Sequence, residues 1–246
     1  MACRLNHAQD WSTRLLCEHT YNQKAAFVTL TYMDSKLPVN HYYDKVNKKN
    51  VLIPTLRKKD IQLWLKRLRK QFPERKIKYY LAGEYGEKEQ RPHYHAIMFG
   101  LSINELKTIG YMSWNKCTLK NFVVDVVCPE TINYVTKYII DKDKGYTAAE
   151  SYKHREAPSA LISNGIGLEY CYRHADELRR NLSLMGPGGT IRPIPRYFRK
   201  VLNISGSEFP DLNDEDLEKK QKKYQSREQR EKNQISRKNL KGRQIL

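Results

Sequence analysis

The sequence predicts an α+β domain built on an antiparallel sheet, and three observations support this class. Four segments are rich in β-branched and aromatic residues and are bounded by polar ones. Three others carry apolar residues at helical spacing. Strands and helices are mixed along the chain, and two consecutive strands are joined by a short polar loop. The strand segments are 24–34, 76–84, 93–100 and 121–127, and the helical segments are 4–19, 54–73 and 129–142.

The first two helices are predicted from their apolar stripes. Segment 54–73 begins near Thr55, which we expect to be the N-cap, and Pro73 ends it. The same segment contains seven Lys and Arg residues, which form either a track for phosphates or an ordinary solvated surface. The stripe residues are Leu5, Ala8, Trp11, Leu15 and Leu16 in the first helix, and Leu56, Ile61, Trp64, Leu65 and Leu68 in the second.

The second and third strand segments are joined by the polar stretch "YGEKEQRP", and this spacing predicts a hairpin with a long loop. Pro129 opens the last of the three helices, as proline often does at the first helical position. The strand and helix patterns weaken after residue 142. One further helix is predicted within 165–181, and the Gly- and Pro-rich stretch 186–202 is expected to be a loop.

The chain turns acidic from about residue 205 and then becomes polar and basic with few apolar residues. Such a segment cannot bury a core, so it is predicted to be disordered or a solvated polar helix. The predicted organisation is a functional domain at 1–204, with its core at about 24–142 and an accessory part at 143–204, followed by a charged tail at 205–246.

The charge of the chain predicts a polyanionic partner. Lys and Arg number 45 against 27 Asp and Glu, which gives a net charge of +18. Residues 211–246 carry 11 Lys and Arg and 7 Asp and Glu, so +14 of this charge lies on residues 1–210. Nucleic acid is the usual partner of such a surface, although a solvated basic surface is the plainer alternative. The 17 tyrosines interleaved with the basic residues suit single-stranded nucleic acid.

The cysteines and the hydropathy predict a cytoplasmic location in the host cell. Five cysteines without a C-x-x-C pair do not form an obvious disulfide framework. No apolar run approaches the roughly 18 residues that a membrane span requires. The first residues, "MACRLNHAQDW", contain no apolar stretch of the kind found in export signals.

Two histidines in the third strand segment predict a metal site. His93 and His95 are two residues apart, so they project from the same face of a strand. Glu84, near the end of the preceding strand, is expected to lie across the hairpin and to add a carboxylate. Two imidazoles and one carboxylate form a set typical of a catalytic metal site with open positions. A packed or exposed histidine pair without a metal is the alternative.

The helix after Pro129 carries two tyrosines, Tyr134 and Tyr138, which are one turn apart on the same face. An apolar stripe on another face can bury against the sheet, so the phenols are not needed for packing. A phenol has a pKa of about 10 and needs help to act as a nucleophile. A cation on the histidines could stabilise a reacting phosphodiester, and Lys137 could favour the phenolate or pair with a phosphate. An ordinary amphipathic helix with partly buried tyrosines is the alternative.

These stretches resemble the HUH endonucleases. "RPHYHAIMFG" and "YVTKY" are similar to that family's paired-histidine strand and tyrosine helix, and "FVTLTY" is similar to its preceding strand motif. Over roughly residues 2–200, the order of motifs resembles the replication initiators of small single-stranded DNA phages of the gokushovirus branch of the Microviridae. The resemblance implies a five-stranded antiparallel, ferredoxin-like sheet flanked by helices. It also implies Mg²⁺ or Mn²⁺ on the two histidines and a third polar ligand, which is placed on Glu84, with Glu87 as the alternative.

The resemblance further implies rolling-circle replication. The protein would nick single-stranded viral origin DNA, join the 5′ end to a tyrosine and free a 3′-OH for host DNA polymerase. The chain contains no G-x-x-x-x-G-K-[ST] motif, so a host helicase would unwind the duplex. A relaxase or single-strand transposase of the same superfamily is one alternative. A non-catalytic single-strand binding or packaging protein is the other. Relatives often carry clustered cysteines before the first helix, whereas only Cys3 lies there in this chain, so no zinc site is predicted.

Overall fold

The computed structural model describes residues 2–86, 89–141, 152–186 and 190–205, although the side chains of 2–5 and 138–141 lie outside this description. Residues 1–203 form one compact unit, and a second unit begins at Ile204. The predicted tail lies almost entirely outside the described residues, so its boundary and its state remain predictions. No described helix has both the length and the apolar character needed to cross a bilayer.

A five-stranded antiparallel sheet forms the centre of the first unit, and this confirms the predicted fold class. Its order is β6-β1-β5-β4-β7. Two separate two-stranded sheets are formed by β2 with β3 and by β8 with β9. The strands are β1 (Ala25–Leu30), β2 (Val39–Asp44), β3 (Lys49–Pro54), β4 (Lys78–Tyr85), β5 (Pro92–Phe99), β6 (Val123–Asp125), β7 (Ser159–Ile162), β8 (Ser183–Met185) and β9 (Ile191–Pro193).

Helices cover both faces of the five-stranded sheet. Two short helices, α3 and α4, are joined by a π-helical turn at Leu106–Gly110. Short 3₁₀ turns lie at Asp34–Lys36 and Leu119–Asn121. The described helices are α1 (Ala2–Tyr21), α2 (Lys58–Gln71), α3 (Ile103–Glu105), α4 (Tyr111–Trp114), α5 (Pro129–Asp141), α6 (Leu168–Arg173), α7 (Ala175–Asn181) and α8 (Arg196–Leu202).

The alternation of side chains along the strands separates two hydrophobic cores. Tyr94, Ala96 and Met98 of β5 pack with α2 and α4 on one face of the sheet, around Trp64 and Trp114. The intervening β5 residues Ile97 and Phe99 pack on the other face, with α1 and α5. The exposed Lys and Arg residues of α2 therefore lie on the sheet face opposite to α5.

The expected N-cap of α2 is wrong. This helix begins at Lys58, and Arg57 occupies the cap position without a side-chain cap hydrogen bond. Thr55 is instead buried at the end of β3, where its hydroxyl donates to the carbonyl of Leu56 and accepts from the N–H of Glu156. The hydroxyl is therefore used in a tertiary contact that helix periodicity cannot reveal.

The predictions for the last part of the first unit are also corrected. The single helix expected within 165–181 is two short helices, α6 and α7, that meet at His174, whose backbone is not helical (φ −109°, ψ 19°). The stretch expected to be a loop contains β9 and α8 among its described residues. Phe198 and Leu202 of α8 are four residues apart and both are buried, which supplies the packing that stabilises this helix despite the neighbouring prolines.

Candidate metal centre and nucleophile

Glu84, His93 and His95 lie together at one end of the β4–β5 hairpin. Glu84 is the register partner of His93, and His95 lies between Ala82 of β4 and Thr29 of β1. All three side chains project to the face covered by α1 and α5, as the strand periodicity predicts. Their ligand atoms lie within 4.8 Å of one another, close enough to share one cation.

The Glu84 carboxylate is the centre of this cluster. Its Oε1 lies 2.5 Å from His93 Nε2 and 3.3 Å from His95 Nε2. Burial alone would raise the pKa of Glu84, but hydrogen bonds and charge from the two imidazoles outweigh it and lower this pKa to about 2. The other oxygen, Oε2, is buried and has no hydrogen-bond partner among the described residues. A buried ionised oxygen without a partner is costly, and a bound cation would satisfy it.

The outer nitrogens of the two imidazoles are held by neighbouring groups. His93 Nδ1 lies 3.1 Å from the carbonyl oxygen of Arg91, and His95 Nδ1 lies 3.0 Å from the hydroxyl oxygen of Thr29. A carbonyl can only accept, so Nδ1 of His93 carries the proton and a neutral ring presents a lone pair at Nε2. Metal-binding histidines are usually oriented in this way, by a backbone carbonyl or another polar group on the far nitrogen. The donor set therefore fits a divalent cation.

Phe27 fixes the plane of the His95 ring. The two rings are stacked with centroids 5.5 Å apart and an interplanar angle of 10°. Phe27 and Thr29 alternate along β1, so both face the site, one against the ring surface and one against its nitrogen. His95 is buried, whereas His93 is partly exposed to solvent. A ligand that approaches from solvent would thus meet His93 first.

Tyr134 lies at the edge of the cluster, on α5. Its hydroxyl oxygen is 3.3 Å from His95 Nε2, and its ring meets the His95 ring edge to face, with centroids 5.0 Å apart. The tyrosine is 38% exposed, so a substrate can reach the phenol from solvent. The sequence-predicted nucleophile and the predicted metal ligands are therefore neighbours in space, although about forty residues separate them along the chain.

Two contacts hold α5 in this position. Ile132 and Val135 are fully buried against the sheet, as expected from the apolar stripe. On another side, Ser12 of α1 donates a hydrogen bond of 2.7 Å to the side-chain oxygen of Asn133. Because Asn133 precedes Tyr134, this contact with α1 restrains the helix turn that carries the phenol.

The remaining predicted site residues are less fully described. Lys137 is exposed and lies three residues after Tyr134, on the same helix. The backbone of Tyr138 belongs to α5, but its side chain lies outside the described residues. Glu87, the alternative third ligand, lies outside them entirely. A second nucleophile and a role for Glu87 thus remain predictions.

Sequence reasoning did not assign roles to Thr29, Phe27 and Arg91. The motif "FVTLTY" marked the strand that contains two of them, but no local pattern shows that β1 pairs with β5. The signal that could have found them is their alternation: in a strand next to β5, the residues that share a face with His95 must include every second position.

Comparison with known proteins points to phage replication. The family model for the replication-associated protein ORF2 matches residues 25–144, which contain β1 to β6 and α5. The chain is 31% identical over 218 residues to the replication-associated protein ORF2 of Spiroplasma virus 4, a match that covers 80% of the chain and 64% of the relative. It is 23% identical over 215 residues to the replication-associated protein VP4 of Bdellovibrio phage phiMH2K, with the same coverage.

A third relative is the replication-associated protein ORF4 of Chlamydia phage 1, with 25% identity over 235 residues, 87% of the chain and 54% of the relative. The chain thus spans less than two thirds of the length of these relatives. No solved structure matches it with significance. The resemblance to the replication proteins of small single-stranded DNA phages is confirmed, and through residues 25–144 the chain belongs to the family of the replication-associated protein ORF2.

Proposed function

We propose that this protein initiates rolling-circle replication by nicking and rejoining single-stranded DNA at a viral origin. The observation that carries the proposal is the position of the Tyr134 hydroxyl, 3.3 Å from a histidine of the cluster formed by Glu84, His93 and His95. A nucleophile beside a cation site is the arrangement that phosphodiester transfer requires. The family match supports the biological setting, since all three relatives are named as replication-associated proteins of phages.

The proposed reaction is a transesterification. The Tyr134 oxygen forms a bond to phosphorus and loses its proton to solvent, while the bond between phosphorus and the 3′ oxygen breaks. The departing oxygen takes up a proton and becomes a 3′-OH, and the 5′ phosphate remains on the tyrosine. One phosphodiester replaces another, so the joining step needs no nucleotide cofactor. Reversal by a 3′-OH rejoins the strand.

Glu84, His93 and His95 would hold the cation in this scheme. Mg²⁺ or Mn²⁺ bound there would polarise the phosphodiester and stabilise its developing charge. Thr29 and the Arg91 carbonyl orient the histidines, and Phe27 excludes water from one face of His95. Lys137 would pair with a phosphate oxygen or favour the phenolate.

The proposal extends to the cell in which the reaction occurs. A free 3′-OH is a primer for host DNA polymerase, and a host helicase would separate the strands in the cytoplasm of the bacterial host. Relaxases and single-strand transposases would use the same chemistry, but the phage relatives favour a replication initiator. A non-catalytic binding or packaging protein would bind single-stranded DNA without a covalent product.

The direct test is a search for the covalent product. Labelled oligonucleotides that tile the viral strand are incubated with the protein and Mn²⁺ and resolved on a denaturing gel. We expect a labelled band at the size of the protein, lost in EDTA and in His95→Ala, with binding of DNA retained because the basic surface is unchanged. Cleavage that persists in EDTA would contradict the metal-dependent scheme.

The third ligand is tested by a matched pair of substitutions. Glu84→Gln keeps the shape of the side chain but removes its charge, so we expect it to weaken binding of Mn²⁺ in calorimetric titration. Glu87→Gln makes the same chemical change three positions further along the chain and is the control, for which no change is expected. The reverse result would assign the third ligand to Glu87.

A further inference from the structure

The β2–β3 hairpin is the largest described element that neither the catalytic cluster nor the central sheet uses. It spans residues 39–54 and forms its own two-stranded sheet. One face packs inward: the Tyr42 ring stacks on His154 with centroids 3.9 Å apart, and Asn40 donates to the His154 carbonyl. This contact holds the hairpin in place and leaves its second face turned to solvent.

The solvent face combines apolar and hydrogen-bonding groups. Tyr43 is 56% exposed and Leu52 is 60% exposed. The register places Tyr43 opposite Asn50 and His41 opposite Leu52, and all four side chains are exposed. A ring with one open surface, beside an aliphatic group and an amide, is a platform on which a planar group can stack.

The tip of the hairpin is basic. Lys45, Lys48 and Lys49 are all exposed, and Val46 between them is 89% exposed. Asp44 is the acidic residue of the hairpin, and its carboxylate already accepts hydrogen bonds from the backbone and side chain of the turn that follows. The carboxylate thus shapes the turn, and the lysines present positive charge to a partner.

The root of the hairpin is tied to the strand end that carries Glu84. The backbone N–H of Leu56, just after β3, donates to the Tyr85 hydroxyl at 2.9 Å. That hydroxyl donates in turn to the carbonyl of Glu156 at 2.6 Å. Tyr85 directly follows Glu84, so the hairpin rises from the same edge of the sheet as the catalytic cluster.

We propose that the β2–β3 hairpin binds single-stranded DNA flanking the cleaved bond, with Tyr43 stacked on a base and the three tip lysines on phosphates. The inference rests on the proposed function and names the surface that holds its substrate. An exposed tyrosine among lysines suits single strands, because their bases present open faces. In a duplex the base faces are covered by stacking, and only the edges are accessible. The lysines complement the phosphate charge.

The stacking contact is tested by fluorescence anisotropy with the full chain and a labelled oligothymidylate. Tyr43→Ser is expected to weaken binding about tenfold, within the range for loss of one base–aromatic stack. The matched control is Tyr172→Ser, which removes a tyrosine of similar exposure on α6 and should not change the affinity. Against an abasic oligonucleotide of equal length, Tyr43→Ser should lose little further affinity. An equal loss on both oligonucleotides would overturn the stacking role.

The phosphate contacts are tested by salt dependence. The triple variant Lys45→Gln, Lys48→Gln and Lys49→Gln should reduce the slope of log Kd against log salt by about 2, since each single-strand phosphate contact contributes about 0.7. The control replaces the same number of exposed lysines on α2, across the sheet: Lys59, Lys66 and Lys70. Equal slopes for the two triple variants would overturn the assignment, as would a preference of the hairpin for a duplex of the same sequence.

The same variants separate this inference from the proposed function. At saturating oligonucleotide with Mn²⁺, the hairpin variants should still form the tyrosine adduct, because the catalytic cluster is intact. If the wild-type protein forms no adduct but the hairpin variants still lose affinity, the proposed function fails and the binding surface stands. If the adduct forms and hairpin variants bind as the wild type does, the inference about the hairpin is refuted.

Discussion

Thr29→Val should weaken the proposed metal site without unfolding the sheet. Valine keeps the branched shape of threonine, so the packing of β1 is preserved and only the hydroxyl is lost. That hydroxyl lies 3.0 Å from Nδ1 of His95 and orients the ring that presents Nε2 to Glu84. The substitution therefore isolates the contribution of ring orientation to cation binding.

The size of the effect follows from what else holds the ring. Removing the group that orients a metal-binding histidine typically costs 10- to 100-fold in metal affinity or activity. His95 is also stacked on Phe27 at an interplanar angle of 10°, which keeps the ring plane even when the hydrogen bond is gone. We therefore expect the lower end, about a tenfold rise in the Kd for Mn²⁺. The free energy of unfolding should fall by about 1 kcal/mol, as for loss of one hydrogen bond.

The assay is isothermal titration with MnCl₂, with urea unfolding as a measure of stability. Thr31→Val is the matched control, because the Thr31 hydroxyl donates to the carbonyl of Asn121 and not to the site. It should lose similar stability and bind Mn²⁺ as the wild type does. If Thr29→Val also binds Mn²⁺ normally, or if both variants weaken binding equally, the hydroxyl does not orient His95 and our account of the site is wrong.

Three further outcomes are expected. Tyr134→Phe and Tyr138→Phe should each still form an adduct on a short oligonucleotide and the double variant none, as seen on denaturing gels; a single variant that loses all adduct would exclude alternating use. Gly83→Ala should lower the free energy of unfolding in urea by about 1–3 kcal/mol, because its Cβ would lie 3.0 Å from the Tyr94 ring; an unchanged midpoint would show that the ring yields. A chain that ends at Ser205 should bind single-stranded DNA somewhat more weakly and still cleave it, and loss of cleavage would place the tail within the catalytic domain.

Local periodicity was enough to predict the core of the site. His93 and His95 share a face because side chains alternate along a strand, and Glu84 reaches them because the two strands are joined by a short loop. These relations involve residues close in sequence, so a pattern can encode them. The partners of the cluster on β1 depend on the pairing of strands more than sixty residues apart, which no local pattern specifies.

The missed strands show a second limit of sequence patterns. The β2–β3 hairpin does not show a clear apolar and polar alternation, because its outer face exposes Tyr43 and Leu52 as well as polar groups. The edge strand β7 has only four residues and is added to the sheet by pairing with β4. In both cases tertiary contacts, rather than a buried periodic face, stabilise the strand.

The sheet that separates the two helical layers also gives this protein a place for attachment. Gln62 is exposed on α2, in the layer opposite to the one that contains Tyr134. A fluorophore or a surface linker joined there would be screened from the phenol by the full thickness of the sheet. With the proposed tyrosine adduct, such a conjugate would carry DNA on one side and its cargo on the other, a geometry suited to single-molecule measurements under tension.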